Sequence, residues 1–232
     1  MLKINKCVTP SPKQWEIVLE GARNPMNSWD KIDSTCYIDG DDEPQYSLGD
    51  NDHSLLMRLR RAGTDHRKYL RMLPIFVTIT APLYWWKEFD TYKVGTTSNS
   101  CSTMHKIHAR EFGFSDFSCD RLLHACSADE FVYPDGDFNA CSPLDVLGVT
   151  IQALNHYRDL YLATNDKQYW EWMIQLLPTS YNQKRTVALN YEVASNIYHS
   201  RRNHKLTEWH TLCDFIETLP YSELITGEDY IP

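Results

Sequence analysis

Hydroxyl and amide side chains are concentrated at residues 95–103, where the sequence reads GTTSNSCST. Together with main-chain N–H groups, such side chains can hold the oxygens of a phosphate, and Gly95 permits backbone conformations that bring several donors to one point. The same residue types also dominate turns, so an ordinary polar surface loop is the alternative. The segment is a candidate site for a phosphate-bearing ligand, and residue types alone leave both interpretations open.

Two groups of sulfur and nitrogen side chains have the chemistry to bind a metal ion. Cys101, His105 and His108 are closely spaced, and His210 lies three residues before Cys213. Neither group has the paired spacing of a structural zinc site, so we expect no metal. The seven cysteines are odd in number and contain no C-x-x-C pair. This argues against a disulfide framework and favours thiols buried as small apolar groups.

The motifs of several common enzyme classes do not occur in the sequence. It contains neither G-x-G-x-x-G nor G-x-x-x-x-G-K-[ST], so we expect neither a Rossmann-type dinucleotide site nor a P-loop. It also has no G-x-S-x-G elbow to support a serine hydrolase. Any phosphate binding at residues 95–103 therefore requires a different arrangement.

The charge balance argues against a protein that coats long nucleic acids. The chain has 23 Lys and Arg against 31 Asp and Glu, a formal net charge of −8. Basic residues are nevertheless clustered at 58–71 and 201–205, which suits small anions, although solvated helix faces give the same pattern. No apolar run approaches the roughly 20 residues of a membrane span, and the N-terminus lacks a signal-peptide core. We therefore expect a cytoplasmic protein that does not enter a membrane.

The elements around residues 95–103 are predicted from hydrophobic periodicity. At 232 residues the chain fits one domain over 1–232. Asp52 as N-cap and Gly63 as terminator predict a helix between them, and alternating apolar residues predict a strand over 73–80. Pro82 then opens an aromatic helix that leads towards Gly95. The polar segment thus lies at the far end of a unit made of strand, helix and loop.

The remainder of the chain is predicted to be mostly helical. Residues 112–143 show little sustained period and are interpreted as an irregular insertion. Between 145 and 219, apolar residues at helical spacing predict four helices, of which the third covers 186–201. Pro178 and Pro220 end the second and the fourth of these helices. The apolar stripes indicate packed core rather than a cofactor pocket.

Two stretches of the sequence match motifs of a known family. The run APLYWWKEFDTYKVGTTSNSCSTMH resembles an APIF-like strand end followed by R-H-R-x-x-S-x-N-E-x-S-x-R-Y, the signature of the flavin-dependent thymidylate synthases (thymidylate synthase complementing proteins). The second stretch, LPTSYNQKRTVALNYEVASNIYHSR, resembles the family's LP, then W-T-x-N, then a helix that ends in Arg. The motif His, first Ser, Asn and second Ser fall on Lys93, Thr97, Asn99 and Ser102. The resemblance spans roughly residues 52–219.

This resemblance implies a fold and an activity. The family fold is α+β, with helices packed around a small central antiparallel or mixed sheet, in a homotetramer whose sites are shared between subunits. The family binds FAD and dUMP, reduces the flavin with NADPH, takes a one-carbon unit from methylenetetrahydrofolate and delivers it to C5 of the uracil ring. We therefore expect a flavin-dependent methyltransferase that acts on dUMP or a related uracil nucleotide.

The resemblance also implies roles for individual residues. Ser102 and Arg201 are expected to bind the nucleotide and to take part in catalysis. Arg201 has independent physical support, because a guanidinium can bond an anion or a pyrimidine carbonyl in a bidentate way that Lys does not reproduce. The residues implied to bind the cofactor are His66, Lys93, Thr97, Asn99 and Asn190.

The sequence departs from the family signature at its charged positions. Tyr92 and Val94 stand where the R-H-R opening has arginines, Ser100 replaces the motif Glu, and Met104 and His105 replace the closing R-Y. Each charge-assisted hydrogen bond lost from a buried site costs about 1.5–3 kcal/mol. Two hypotheses follow: an enzyme in which other basic residues replace the lost charges, or a homologue that kept the scaffold and now binds a nucleotide or a partner. The basic residues considered as replacements are Arg58, Arg61, Arg71, Lys87 and Lys93.

Overall fold

Six strands and eight α-helices are formed within residues 1–122 and 142–227, which are the residues that the computed structural model describes. The strands are β1 (Lys3–Val8), β2 (Thr35–Ile38), β3 (Pro44–Ser47), β4 (Pro74–Pro82), β5 (Thr97–Ser100) and β6 (Asn182–Asn190). The helices are α1 (Pro12–Arg23), α2 (Asp50–Arg61), α3 (Leu83–Phe89), α4 (Pro143–Thr164), α5 (Lys167–Leu176), α6 (Tyr191–Arg201), α7 (Thr207–Glu217) and α8 (Glu223–Thr226). The α+β fold class is confirmed. The insertion predicted at 112–143 falls largely on residues 123–141, outside the described part.

Four strands form one sheet in the order β1-β4-β6-β5, and β2 pairs with β3 in an antiparallel hairpin. The hairpin register places Thr35 opposite Ser47 and Ile38 opposite Pro44. In the central strand β4, Ile75, Val77 and Ile79 are buried, as the predicted alternation requires. Both edge strands were missed by the sequence prediction. In β5 all four residues, TSNS, are polar and exposed, so no apolar alternation marks it as a strand.

Both central strands of the sheet lead directly into helices. Pro82, the last residue of β4, is the N-cap of α3, which confirms the predicted aromatic helix. Asn190, the last residue of β6, is the N-cap of α6. The helix predicted over 186–201 is therefore wrong over its first five residues. In that part Val187 and Leu189 are buried at alternate positions of a strand, and the helical period begins only after Asn190.

The described residues separate into two compact units. The first unit consists of Met1–Lys3, Thr80–Asp90 and Ser100–Arg185. The second unit consists of Ile4–Ile79, Thr91–Asn99 and Thr186–Pro232. The single domain expected over 1–232 stays a prediction.

The core of the first unit is formed by α4 and α5 together with apolar residues of the segment 107–117, whose last part lies within the insertion predicted at 112–143. Leu154 and Met173 are fully buried, and Ile107, Phe112 and Phe117 pack in the same cluster. The apolar stripe predicted for α4 consists of Leu147, Ile151, Leu154, Tyr157 and Tyr161. The first three are buried, and the two tyrosines are partly buried and pack against the same cluster. In α3 the indole nitrogen of Trp86 donates to the carbonyl oxygen of Gln183 at 2.9 Å. This bond satisfies the one polar atom of a fully buried aromatic side chain.

In the second unit α6 is the central element, and α7 and α8 pack against it. Tyr191 and Ile197 of α6 are completely buried. The stripe predicted for the last long helix is confirmed, because its four apolar members are all buried: Trp209, Leu212, Cys213 and Ile216. No helix among residues 1–122 and 142–227 is both long and apolar enough to cross a membrane.

The start of α2 differs from the prediction, since Gly49 is its N-cap and the helix begins at Asp50. Asp52 is instead a fully buried partner of Arg23, whose Nε donates to the carboxylate at 2.7 Å. Its second oxygen accepts from the hydroxyl of Ser34 at 2.6 Å and from the backbone N–H groups of Asp33 and Ser34 at 3.0 Å. Burial opposes ionisation of this carboxyl, but these hydrogen bonds outweigh it and lower the pKa of Asp52.

We expect Asp52→Asn to destabilise the protein by about 3 kcal/mol near neutral pH, because it leaves the Arg23 guanidinium buried without its counter-charge. The pKa of Asp52 is lower in the folded protein than in the unfolded chain, where it is about 4. The ionised carboxylate therefore stabilises the protein above pH 4, and this stabilisation is lost as the pH falls through the lower pKa of the folded state. Urea unfolding at several pH values gives the free energy of unfolding of wild type and variant, and the difference between the two should become smaller in acid. The exposed Asp65→Asn is the control. A difference that does not change with pH would contradict this assignment.

Candidate functional site

The segment that follows α3 packs against the start of α6 in the second unit. Gly95 has φ +80°, a conformation that other L residues rarely adopt. A Cβ at this position would lie 3.0 Å from Cγ2 of Val193 and 3.3 Å from Nδ2 of Asn190. The polar segment therefore packs so closely on the N-terminus of α6 that a larger residue at position 95 would be strained, and the two matched stretches meet here.

Asn190 caps the helix against which this segment packs. Its Oδ1 accepts a hydrogen bond from the backbone N–H of Val193 at 3.0 Å, which satisfies one of the donors left open at a helix start. Its amide nitrogen lies towards Gly95. Asn190 therefore has a structural task through its oxygen, and its nitrogen adds a donor close to the polar segment.

The segment that contains His66 is tied to the first turn of α6. The backbone N–H of His66 donates to the carbonyl oxygen of Gly63 at 3.0 Å, and its side chain is exposed. The next residue, Arg67, donates to Oε1 of Glu192 from Nε at 3.2 Å and from Nη2 at 3.0 Å. This pair is largely buried, with 16% and 13% of the two side chains exposed. His66 therefore directly precedes an arginine that is anchored on α6.

Arg201 lies at the opposite end of α6, in an aromatic setting. Its Nε donates to the hydroxyl of Tyr92 at 3.0 Å. Its guanidinium carbon lies 4.7 Å from the ring centre of Trp209 and 5.7 Å from that of Tyr92. Because an α-helix rises about 1.5 Å per residue, Asn190 and Arg201 are separated by roughly 16 Å along the axis. The two residues cannot hold one small group, but they can hold two parts of an extended ligand.

The other matched residues of the second unit lie on the surface and precede β6 in the sequence. Lys93 is exposed, and Thr97 and Asn99 are exposed on β5. Since successive side chains of a strand point to opposite faces, Thr97 and Asn99 share one face. The prediction of a loop is wrong for residues 97–100, which form an edge strand beside β6. The strand presents a hydroxyl and an amide in a fixed order along one face.

Ser102 belongs to the first unit, whereas the other six predicted site residues belong to the second. Its hydroxyl oxygen accepts from the backbone N–H groups of Met104 at 3.2 Å and His105 at 2.9 Å. Ser102 therefore closes a turn of its own segment. The side chain of Ser102 is exposed.

The basic residues considered as replacements for the missing arginines are all exposed: Arg58, Arg61, Arg71, Lys87 and Lys93. Other arginines that the sequence did not single out are held in structural contacts. Arg60 donates to the carbonyl oxygens of Leu224 at 3.0 Å and Ile225 at 2.9 Å, which anchors α8. Burial lowers the pKa of Arg60.

In the first unit Arg185 has a comparable structural task. Its guanidinium lies 4.4 Å from the centre of a Trp86 ring, and it forms an ion pair with Asp90 at 2.7 Å. Its Nε donates to Oε1 of Gln183 at 2.9 Å. No sequence pattern marks Arg185, since its partners are distant in the chain or on the same strand.

The cysteine and histidine groups weighed as metal ligands have other surroundings. In the part of the chain that the structure describes, no three His, Cys, Asp or Glu side chains are arranged to hold a metal ion. His210 Nε2 is 2.7 Å from the carbonyl oxygen of His204. Cys213 is buried, and this burial raises the pKa of its thiol to about 11. A thiol in that state is a packing group rather than a nucleophile.

Three cavities of the second unit lie away from the predicted residues. Their volumes are about 480, 420 and 400 Å³, and none of the seven predicted site residues lines them. The first is bordered by Trp29 and Tyr46, and the second by His53 and Glu223. None of these three cavities therefore coincides with the predicted residues of the second unit.

Several solved structures are similar in fold to this chain. Thymidylate synthase X (ThyX) from Helicobacter pylori, crystallised with FAD and dUMP, superposes with a TM-score of 0.63 over 98% of this chain and 98% of its own, at 17% identity. The chain has the ThyX fold. A second structure of the H. pylori enzyme, also with FAD and dUMP, gives a TM-score of 0.61 at 17% identity, with 97% of this chain and 98% of the other covered.

A methylase of a related kind shares the ThyX fold. The UMP/dUMP methylase PolB from Streptomyces cacaoi, bound with 5-Br dUMP, has a TM-score of 0.54 at 18% identity and covers 94% of this chain and 88% of its own. No family model and no curated protein matches the sequence. The resemblance to the flavin-dependent thymidylate synthases predicted from the sequence is thus confirmed at the level of the fold.

The close approach of Gly95 to α6 yields a prediction about stability. We expect Gly95→Ala to lower the free energy of unfolding by about 1–3 kcal/mol, because the added Cβ meets Val193 and Asn190 and the positive φ is strained. Gly40→Ala is the control, since nothing lies within 4 Å of a Cβ there. Urea denaturation of both variants gives the comparison, and equal effects would show that the segment does not pack on α6 as described.

Proposed function

We propose that this protein is a flavin-dependent nucleotide methylase that transfers a one-carbon unit from methylenetetrahydrofolate to C5 of dUMP or a related uracil nucleotide, with FAD and NADPH. The observation that carries the proposal is the likeness, over nearly the whole of both chains, to a protein crystallised with FAD and dUMP. The similar fold of a UMP/dUMP methylase supports the same class of substrate. We further propose a cytoplasmic homotetramer of single-domain subunits, as the resemblance implies.

The residues present fit a nucleotide and a flavin. Gly95 lets the polar segment lie close to the start of α6, which brings the amide nitrogen of Asn190, a hydrogen-bond donor, next to this segment. Thr97 and Asn99 offer a hydroxyl and an amide on one face of β5. When bound, FAD supplies the hydride that completes the methyl group.

The cationic residues would bind the ligands in different ways. Arg201 offers a planar guanidinium suited to a phosphate or a uracil carbonyl, while Lys93 offers a point charge on an exposed stem. His66 is exposed near the anchored Arg67 and would contact the cofactor. The proposed contact of Ser102 with the substrate is supported by the family resemblance. These residues would hold and orient the ligands. Their contacts would not by themselves activate the uracil ring.

A second candidate function is a homologue that binds a uracil nucleotide without methylating it. The observation that favours it is the loss of charge at Tyr92, Val94 and Met104 together with the commitment of Arg60 and Arg185 to structural contacts. Without those charges the site would bind flavin weakly. Nucleotide binding through Arg201 would persist.

The visible spectrum of the purified protein separates the two functions. We expect the yellow absorbance of bound flavin, present as isolated or on addition of FAD, and its bleaching by NADPH. Incubation with methylenetetrahydrofolate should then add one CH₂ group to dUMP or UMP, as measured by mass spectrometry of the nucleotide. A protein that is colourless after incubation with FAD and removal of the free FAD by gel filtration, but that binds dUMP, would overturn the methylase proposal and establish the second candidate.

Asn190→Ser separates the two tasks of Asn190. Serine keeps an N-cap oxygen, so we expect the free energy of unfolding to change by less than about 0.5 kcal/mol, whereas Asn190→Ala should lose about 1 kcal/mol. Serine removes the amide nitrogen, so FAD affinity should fall several-fold, as measured by flavin fluorescence quenching. Unchanged FAD affinity in the serine variant would restrict Asn190 to its capping role.

A further inference from the structure

An ion pair to which the resemblance assigns no role connects the segment after α2 to the first turn of α6. Arg67 donates from Nε and from Nη2 to the same oxygen, Oε1 of Glu192, and only 16% and 13% of the two side chains are exposed. The other oxygen of Glu192, Oε2, is buried and has no hydrogen-bond partner within residues 1–122 and 142–227. In that part of the chain the carboxylate of Glu192 therefore serves to bind Arg67.

The backbone around His66 forms a compact turn that this ion pair attaches to α6. Gly63 has φ +102°, a conformation that favours glycine. Its carbonyl oxygen accepts from the N–H groups of His66 at 3.0 Å and of Arg67 at 3.1 Å. Because the His66 side chain is exposed, the path of its backbone decides where the imidazole can reach. The ion pair between Arg67 and Glu192 therefore fixes the position of His66 relative to α6.

The first turn of α6 is also the place where the polar segment packs. Asn190 is the N-cap of α6, and Glu192 is the second residue of the helix. Gly95 lies next to the amide nitrogen of Asn190. His66 and Asn190, which the resemblance implies to bind the cofactor, are thus held by one helical turn, Asn190 as its cap and His66 through Arg67.

We infer that Glu192 and Arg67 are positioning residues that hold His66 at the cofactor. This inference rests on the proposed function, in which His66 contacts FAD. Neither Glu192 nor Arg67 touches the flavin in this assignment. Both residues act through the backbone of His66.

The chemistry of the pair suits a positioning role. Taking two charges out of water costs free energy that largely offsets their attraction, so a mostly buried ion pair adds little net stability. A guanidinium that bonds a carboxylate with two donors is, however, held in one orientation. Glu192 also balances the charge of Arg67, which makes Arg67 a poor replacement for the missing motif arginines.

The decisive experiment is a double-mutant cycle on FAD affinity, measured by quenching of flavin fluorescence. Glu192→Ala removes the partner of Arg67, so we expect the Kd for FAD to rise roughly tenfold, as it should in His66→Ala. If Glu192 acts through His66, the double variant should bind no more weakly than His66→Ala alone. Independent effects would instead multiply to roughly a hundredfold, and this result would overturn the inference.

Glu217→Ala is the matched control, because it removes another ion-paired carboxylate of the second unit, 3.2 Å from Nη2 of Arg202. Its Kd for FAD should stay within about twofold of wild type. Thermal unfolding of each variant verifies that the fold is retained. Equal weakening by Glu192→Ala and Glu217→Ala would show general destabilisation and would also overturn the inference.

Arg67→Lys carries the same cycle if Glu192→Ala does not fold. Lysine keeps the positive charge beside Glu192 but lacks the planar guanidinium that bonds with two donors. We expect the Kd for FAD to rise several-fold in Arg67→Lys, and not to rise further when His66→Ala is also present. An unchanged Kd in Arg67→Lys, or a further rise in the double variant, would contradict the positioning role.

Glu192→Ala also separates positioning from direct cofactor binding by Arg67. FAD carries a negatively charged pyrophosphate, so an Arg67 that itself bound the cofactor would bind it more tightly once the carboxylate partner is removed. Tighter FAD binding in Glu192→Ala would therefore overturn the inference.

Hydrogen exchange tests the anchor without any flavin. The backbone N–H of His66, which donates to Gly63, should exchange at least tenfold faster in Glu192→Ala than in wild type, and should be unchanged in Glu217→Ala. If wild type binds no FAD, the proposed function fails and the positioning role fails with it, even where slow exchange shows that the anchor exists. If wild type binds FAD but Glu192→Ala binds it equally well, the positioning role alone fails.

Discussion

The change from strand to helix at Asn190 is the constraint on which the second unit depends. Strand β6 ends and α6 begins at the same residue, and the Asn190 side chain satisfies a backbone donor that a buried helix start would otherwise leave unpaired. The next N–H, of Tyr191, donates to the carbonyl oxygen of Leu73 at 3.1 Å. The origin and direction of α6 are therefore fixed, and so is the position at which Arg201 emerges.

The arginines on and beside α6 have different surroundings. The protein is acidic, with a net charge of −8, and Arg67 and Arg202 are paired with carboxylates. The guanidinium of Arg201 also lies over the rings of Tyr92 and Trp209, and such rings attract a cation. An excess of acidic groups repels an anionic ligand at long range, so a site for such a ligand needs basic side chains close to the bound anion.

The sequence was most informative where one period extends over many residues. Alternation identified β4, and helical spacing identified the stripes of α4 and α7. It failed at 186–190, because Val187 and Tyr191 are four residues apart and fit a helix, while Val187 and Leu189 fit a strand equally well. The exposed strand β5 has no apolar alternation and so could not be recognised. The pairing of Asp52 with Arg23 joins residues far apart in the chain, which periodicity does not reveal.

The same limit applies to the site residues. Asn190 matches a family position, yet a helix N-cap selects Asn for reasons unrelated to a ligand, and a sequence match does not distinguish the two. The structure separates them by atom: the side-chain oxygen is used by the cap, while the nitrogen lies beside Gly95. Ser is nearly as good a cap, so the cap alone gives little reason to prefer the amide. What the cap does not use is the amide nitrogen, which lies beside Gly95 in the polar segment at residues 95–103 and is the atom that a ligand bound there would contact.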